Sequence, residues 1–238
     1  MKLDILAIGA HPDDIELACS GTLLKHAKMG KKVGVLDLTK GQLGTRGTPE
    51  QRLQEANDAA KILKLAVREN LQMEDGYFVN DADHQKKIIT AIRKYRPDVL
   101  LINAPDDRHP DHGKAAQLAK DAAFYAGLRK IETTFQGVEQ KAWRPKNVYH
   151  YIQAKYLKPD FVVDISEEQE EKMKAILAYK SQFYNPNSNE PDTFISSNAF
   201  LQFVEARGRE MGQICKVAYA EGFIGIRYMG VHDLSTIF

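Results

Sequence analysis

The sequence predicts an α/β protein built around a mainly parallel sheet, and two observations carry that expectation. Apolar runs alternate with segments of helical spacing from residue 3 to about residue 125, the pattern of repeated β-α units joined by right-handed crossovers. Two of the strand-like runs also lead into nearly the same tetrapeptide, His11-Pro12-Asp13-Asp14 and His109-Pro110-Asp111-His112.

Taken in order, Leu3–Ala10 reads as a first strand and Ile15–Met29 as a helix stopped by Gly30. Lys32–Thr39 is a second strand that runs into a glycine-containing loop, Lys40–Gly47. Thr48 is placed to cap the next helix, with Pro49 at its first position and Gln51 at the capping-box position, and the helix runs to about Leu63. A short strand near Ala66–Asn70 precedes the turn Glu74-Asp75-Gly76. Gln85–Tyr95 is amphipathic, with Ile88, Ile89 and Ile92 on one face. Arg96-Pro97-Asp98 breaks it, Val99–Asn103 makes a fourth strand, and Asp111–Tyr125 is an alanine-rich helix. Val148–Gln153 and Phe161–Ile165 are further strands, the second feeding a helix capped by Ser166 with Gln169 as its partner. A helix over Ala199–Met211 precedes a last apolar stretch, Ala218–Phe223.

With no linker, low-complexity tract or repeat of solenoid period, residues 1–238 are expected to form one domain. Residues 1–125 would be its Rossmann-like core, and residues 126–238 would add strands and helices to it. In such doubly wound sheets, with helices on both faces, strand order reverses beside the first strand, and ligands bind at the carboxyl ends there. The two tetrapeptides follow the first and fourth strands, so the topology predicts that they converge.

Composition narrows the function classes. Basic and acidic residues nearly cancel, 33 against 32, which argues against a nucleic-acid-binding face. No run approaches the roughly 20 apolar residues that span a bilayer. The first residues read as a strand, unlike a signal peptide, and two cysteines, Cys19 and Cys215, make no disulfide framework. A reducing cytoplasm is the expected setting.

Histidine and aspartate gathered at two adjacent strand ends suit a catalytic zinc site, where about three protein ligands leave a position for water. Either tetrapeptide alone reads as readily as a helix N-cap, since Asp and Pro both favour that position; the pairing is what favours metal. Spacing leaves open which of Asp13 and Asp14 would bind. Two His and one carboxylate also describe non-haem iron sites, and a non-catalytic sugar- or nucleotide-binding module is a third reading. The turn after the first strand lacks G-x-G-x-x-G, so dinucleotide binding has little support.

Ala10-His11-Pro12-Asp13-Asp14-Ile15-Glu16 together with Arg108-His109-Pro110-Asp111-His112 resembles the LmbE-like, PIG-L family of zinc-dependent N-acetylglucosaminide deacetylases. Asp37–Thr48, Asp107–His112, Ser181-Gln182-Phe183 and Ala220-Glu221-Gly222-Phe223 resemble the branch that deacetylates N-acetylglucosaminyl-malate in bacillithiol biosynthesis. The resemblance implies a hydrolase that acts on a small GlcNAc conjugate, uses Zn2+ (or another divalent ion such as Fe2+), and assembles as a homo-oligomer. It makes His11, Asp14 and His112 the metal ligands, Asp13 the general base and His109 the group facing the oxyanion or leaving amine. Asp111 would orient His109.

Arg52, Arg108 and Asp75 are the candidate substrate contacts. Arg52, with Glu55 three residues on, reads plainly as an exposed helical ion pair, while the resemblance turns it toward the substrate. Arg108 reads otherwise as a loop arginine, and Asp75 as a turn former. Gln42 departs from the Glu that relatives usually carry in the Gly-Glu-x-Gly version of this loop, and no role is assigned to it. His26, His84, His150 and His232 have no paired carboxylate motif, and Cys19 reads as packing. Tyr184–Pro191 reads as a loop.

Overall fold

The computed structural model describes residues 1–233. In chain order the elements are β1 (Ile5–Gly9), α1 (Asp14–Ala18), α2 (Ser20–Lys28), β2 (Val33–Thr39), α3 (Pro49–Ile62), β3 (Val67–Met73), α4 (Ala82–Tyr95) and β4 (Val99–Ile102). They continue with α5 (Pro110–Ala126), β5 (Thr134–Phe135), β6 (Val138–Glu139), β7 (Asn147–Tyr151), β8 (Phe161–Asp164), α6 (Gln169–Leu177), α7 (Asn198–Ile214) and β9 (Ala220–Gly225). Seven strands form one sheet in the order β3-β2-β1-β4-β7-β9-β8, and β5-β6 form a separate hairpin. The α/β class and the mainly parallel sheet are as expected. Strands β3, β2, β1, β4 and β7 run parallel, and β9 is antiparallel to both β7 and β8.

Both faces of the sheet are covered, and β1 shows why. Leu6 and Ile8 point into a core with Ile88, Ile92, Leu118 and Ala122 of α4 and α5. Their alternates Ile5 and Ala7 point the other way, into a core with Ile15 of α1, Leu23 of α2 and Cys19 between them. The period of two along a strand makes this division, and burial of both faces explains the unbroken apolar spelling of the run. The strands after residue 125 extend the same sheet, β7 pairing with β4 from Val99↔Asn147 to Ile102↔His150.

Two local expectations are corrected. The helix expected over Ile15–Met29 is two helices, interrupted at Cys19 (φ −138°, ψ 18°). The reason lies 200 residues away in sequence: the Glu221 carboxylate accepts from the Gly21 and Thr22 amides, satisfying the first turn of α2. Ser166 does not cap α6, which begins after Glu168. The Ser166 hydroxyl oxygen instead accepts from the Ala218 and Tyr219 amides at the entry to β9. The Thr48 cap of α3 holds: its hydroxyl accepts from the Gln51 amide, with Pro49 in the first turn.

A buried charge cluster fixes α1 against the sheet. Arg68 on β3 donates to both oxygens of Asp37 on β2, at 2.7 and 2.9 Å, and to Glu16 on α1 at 2.5 Å. Burial pushes the Asp37 carboxyl above its ordinary pKa, and the Arg68 guanidinium opposes that rise. Two buried carboxylates depend on one cation, so removing it leaves charge without compensation. Arg68→Met is expected to destabilise the fold by about 3–5 kcal/mol in urea unfolding. A loss below about 1 kcal/mol would show that the cluster is not a structural requirement.

Candidate active site

Strands β1 and β4 are neighbours in parallel register, Ile5↔Val99 to Ala7↔Leu101, so the segments leaving their carboxyl ends meet. His11 lies just beyond β1, and Asp13 and Asp14 open α1. His109 is the N-cap of α5, with Pro110, Asp111 and His112 in its first turn. The imidazoles of His11, His109 and His112 gather within ring-centroid distances of 4.7–5.6 Å. They sit in a pocket of about 330 Å³ whose lining also includes Asp13, Asp14, Arg52 and Gln153.

Asp14 lies at the centre. One carboxylate oxygen, Oδ1, is 3.1 Å from His112 Nε2 and accepts from Gln153 Nε2 at 2.8 Å. The other, Oδ2, accepts from the His11 amide at 3.0 Å and from Asn103 Nδ2 at 3.2 Å, and lies 3.8 Å from His11 Nδ1. Burial opposes its ionisation, but His112, His11 and Gln153 outweigh that and hold the carboxyl well below its usual range.

Each imidazole beside Asp14 has a second carboxylate on its far nitrogen. His112 Nδ1 is 2.6 Å from Asp107 Oδ2, and His11 Nε2 is 3.0 Å from Asp75 Oδ1 and 3.4 Å from Asp111 Oδ2. Burial alone would lower both imidazoles. Asp14, foremost for His112, and these far-side carboxylates, foremost for His11, overcome it, raising His11 to about 9 and His112 to about 10. An imidazole that turns one nitrogen toward a buried carboxylate and is held by a carboxylate on the far nitrogen is arranged as metal-binding histidines are.

Donor geometry fits a divalent cation. Among the described residues, one ligand atom each from His11, His109 and His112 lies within 4.8 Å of the others, as do those of His11, Asp75 and Asp111. Nitrogen and carboxylate donors of this kind suit zinc and other first-row metals.

Asp13 is held differently. Its backbone has φ 108°, in the left-handed region that a non-glycine residue enters at a cost of roughly 1–3 kcal/mol. The strain turns its carboxylate toward Arg52, whose Nη2 donates to Oδ2 at 2.5 Å. Burial raises the Asp13 carboxyl to about 6 against the pull of Arg52. Arg52 therefore faces Asp13, while Glu55 accepts from the backbone amide and hydroxyl of Ser181. The exposed Arg52–Glu55 ion pair does not form. Arg52 Nε is buried with no hydrogen-bond partner.

The histidine at the mouth of the second tetrapeptide is fixed by backbone. His109 Nδ1 accepts from the Asp111 amide at 3.2 Å, which assigns the proton to Nε2. Burial, with His11 and His112 adding to it, holds its pKa below the ordinary value. The Asp111 carboxylate, expected to orient His109, instead faces His11 and accepts from the Gly76 amide and Lys114.

Of the expected substrate contacts, Asp75 has both oxygens engaged, one near His11 and one accepting from the Leu43 amide at 2.8 Å. Arg108 is exposed at the pocket edge, stacked 4.4 Å from the Phe194 ring. Gln42 ties its loop to the end of β3, because Oε1 accepts from the Lys40 amide and Nε2 donates to the Met73 carbonyl. A Glu there would have no donor for that carbonyl. Asp107, Asn103 and Gln153 were not singled out from sequence. Asp107 stood in the Asp107–His112 motif, two residues before His109, and was the one a local signal could have found. Asn103 and Gln153 reach Asp14 from the ends of β4 and β7, where only the strand order reveals them.

A seven-stranded α/β fold with a His/Asp donor cluster at the carboxyl ends of its central strands defines the class: an α/β enzyme with a potential metal centre. Comparison with known proteins gives the family. A family profile described as PIG-L, GlcNAc-PI de-N-acetylase, matches residues 6–123. Diacetylchitobiose deacetylase of Thermococcus kodakarensis is 31% identical over 191 residues, covering 75% of this chain and 70% of that one. The solved structure of the conserved protein TT1542 from Thermus thermophilus superposes with a TM-score of 0.83 at 36% identity, covering 97% of this chain and 98% of that one. The chain belongs to the PIG-L family and is an N-deacetylase, a hydrolase of N-acetyl amide bonds. The fold extends to other chemistry. The 4-carboxy-2-hydroxymuconate hydratase GalB of Pseudomonas putida KT2440 has a TM-score of 0.77 at 20% identity, covering 98% of this chain and all of that one.

If the cluster takes up a metal in the folded state alone, Zn2+ should raise the melting temperature of chelator-stripped protein. At one hundred times Kd the gain is about 2.7 kcal/mol, read by calorimetry, and His112→Ala should abolish it. An equal shift in the variant would place the binding elsewhere.

Proposed function

We propose that the chain is a zinc-dependent deacetylase of GlcNAc conjugates, with N-acetyl-α-D-glucosaminyl L-malate in bacillithiol biosynthesis as its substrate. The observation that carries the reading is Asp14, a buried carboxylate facing His11 and His112 at the base of a pocket. His11, Asp14 and His112 are the proposed ligands, using the nitrogens that face Asp14. Asp75, Asp111 and Asp107 then hold the outer nitrogens and fix ring orientation. A bound divalent ion supplies Lewis acidity, polarising an amide carbonyl and acidifying adjacent water.

The remaining steps belong to side chains. Asp13 takes the proton of the attacking water and passes one to the departing nitrogen, a function worth roughly 10²–10⁴-fold. Its raised pKa suits a group that must both accept and donate a proton. Arg52 positions that carboxylate through its Nη2. His109 offers Nε2–H to the oxyanion even as a neutral ring, because its Nδ1 is already committed as an acceptor. Losing such a donor costs roughly 10²–10³ in rate. Arg108 makes no ion pair among the described residues and is the proposed partner of an acidic aglycone.

The relative from T. kodakarensis is named for diacetylchitobiose, so a chitobiose-type substrate is the second reading. Free-amine release from GlcNAc-malate, GlcNAc-inositol and diacetylchitobiose separates them. The proposal expects malate to be preferred by at least tenfold in kcat/KM, and a preference for diacetylchitobiose would overturn it. For the roles, Asp13→Ala should keep its zinc and lose turnover, whereas Asp14→Ala should lose zinc. Metal analysis giving the reverse would exchange the two assignments.

A further inference from the structure

A second, largely apolar chamber adjoins the catalytic pocket. It shares Leu17, Arg108, His112, Gln153, Phe194 and Ile195 with that pocket, but none of the polar lining at Gly44, Thr45, Asp75 and Gly76. Its inner walls include Ile152 just beyond β7 and Phe200, Val204 and Met211 of α7. The cavity volume is about 40 Å³, room for roughly three non-hydrogen atoms if each needs the ~10–15 Å³ that one water requires. The charges that reach it are engaged. Lys172 donates to Glu221 at 2.6 Å, and Arg207 donates to the Ala154 carbonyl at 2.6 Å while stacking on Phe203. At the mouth, Arg108 stacks on Phe194.

An N-acyl sugar has two unlike ends, a hydroxyl-rich ring on nitrogen and an apolar group on the carbonyl carbon. The site has two unlike ends as well, and His112 and Gln153 stand where they meet. We propose that the chamber is an acyl subsite, so that the enzyme removes N-propionyl and N-butyryl groups in addition to N-acetyl. The inference rests on the deacetylase reading of the main pocket. The bond changes are those of any amide hydrolysis. A C–O bond forms from water to the acyl carbon and the C–N bond breaks. The nitrogen takes both protons of the water, and a three- or four-carbon carboxylate leaves together with an ammonium.

Binding of the product carboxylates tests the chamber without turnover. Calorimetric titration of zinc-loaded protein with acetate, propionate, butyrate and hexanoate should show affinity rising about fourfold per methylene as far as butyrate, then falling at least tenfold at hexanoate. Val204→Phe, which fills the chamber, should weaken butyrate at least tenfold more than acetate; Val204→Ala should shift the optimum to longer chains. Amine release from the matching N-acyl glucosamine conjugates should follow the same order. Affinity that is flat or falls from acetate to butyrate would overturn the proposal, as would equal losses for all four carboxylates in Val204→Phe. An intact carboxylate series with no amine release from any N-acyl sugar would keep the acyl subsite and remove the deacetylase reading.

Discussion

The arrangement depends on a buried carboxylate with more partners than a helix start needs. Asp14 is 1% exposed, and a carboxylate so far from water is stable only when donors or cations surround it. Its partners come from four places: His11 after β1, Asn103 after β4, His112 in α5 and Gln153 after β7. No single element supplies that set. It forms only when β1, β4 and β7 lie side by side in parallel, so the site exists only on the assembled central sheet. Asp37 and Glu16, gathered on Arg68, solve a related problem one layer away and fix the first turn of α1, on which Asp14 sits.

The two tetrapeptides do unlike jobs on similar backbones. Both open helices, yet the first forces Asp13 to φ 108° while the second leaves His109 at an ordinary extended N-cap, φ −85°. Strain is therefore confined to the residue whose carboxylate faces Arg52, a placement common where a side chain must be aimed against its local preference. The likeness to a hydratase at 20% identity carries the same lesson at the scale of the fold. The sheet brings strand ends together, and the side chains there decide the chemistry.

Much of this was legible in the sequence because its signals were local or topological. The period-two apolar runs, the Thr48-Pro49 start of α3 and the alternation of strand and helix all concern neighbouring residues. Convergence of His11 and His112 followed from the strand order of doubly wound sheets. What escaped detection depended on distant partners. The break at Cys19 is set by Glu221, Ser166 is drawn to β9, and Arg52 turns from Glu55 to Asp13. Asp111 points to His11 instead of His109 because Asp75 and Gly76 bring the end of β3 alongside. Spacing along the chain holds no record of these pairings.

His11 has carboxylates on both sides of its ring, so the nitrogen that binds metal decides which carboxylates are ligands and which only orient the ring. Anomalous diffraction at the zinc edge from metal-loaded crystals tests this directly. One peak is expected, bonded to His11 Nδ1, Asp14 and His112 Nε2 at about 2.0–2.2 Å, with Asp75 and Asp111 remaining on His11 Nε2. A peak bonded instead to His11 Nε2, Asp75 and Asp111 would contradict the proposed centre.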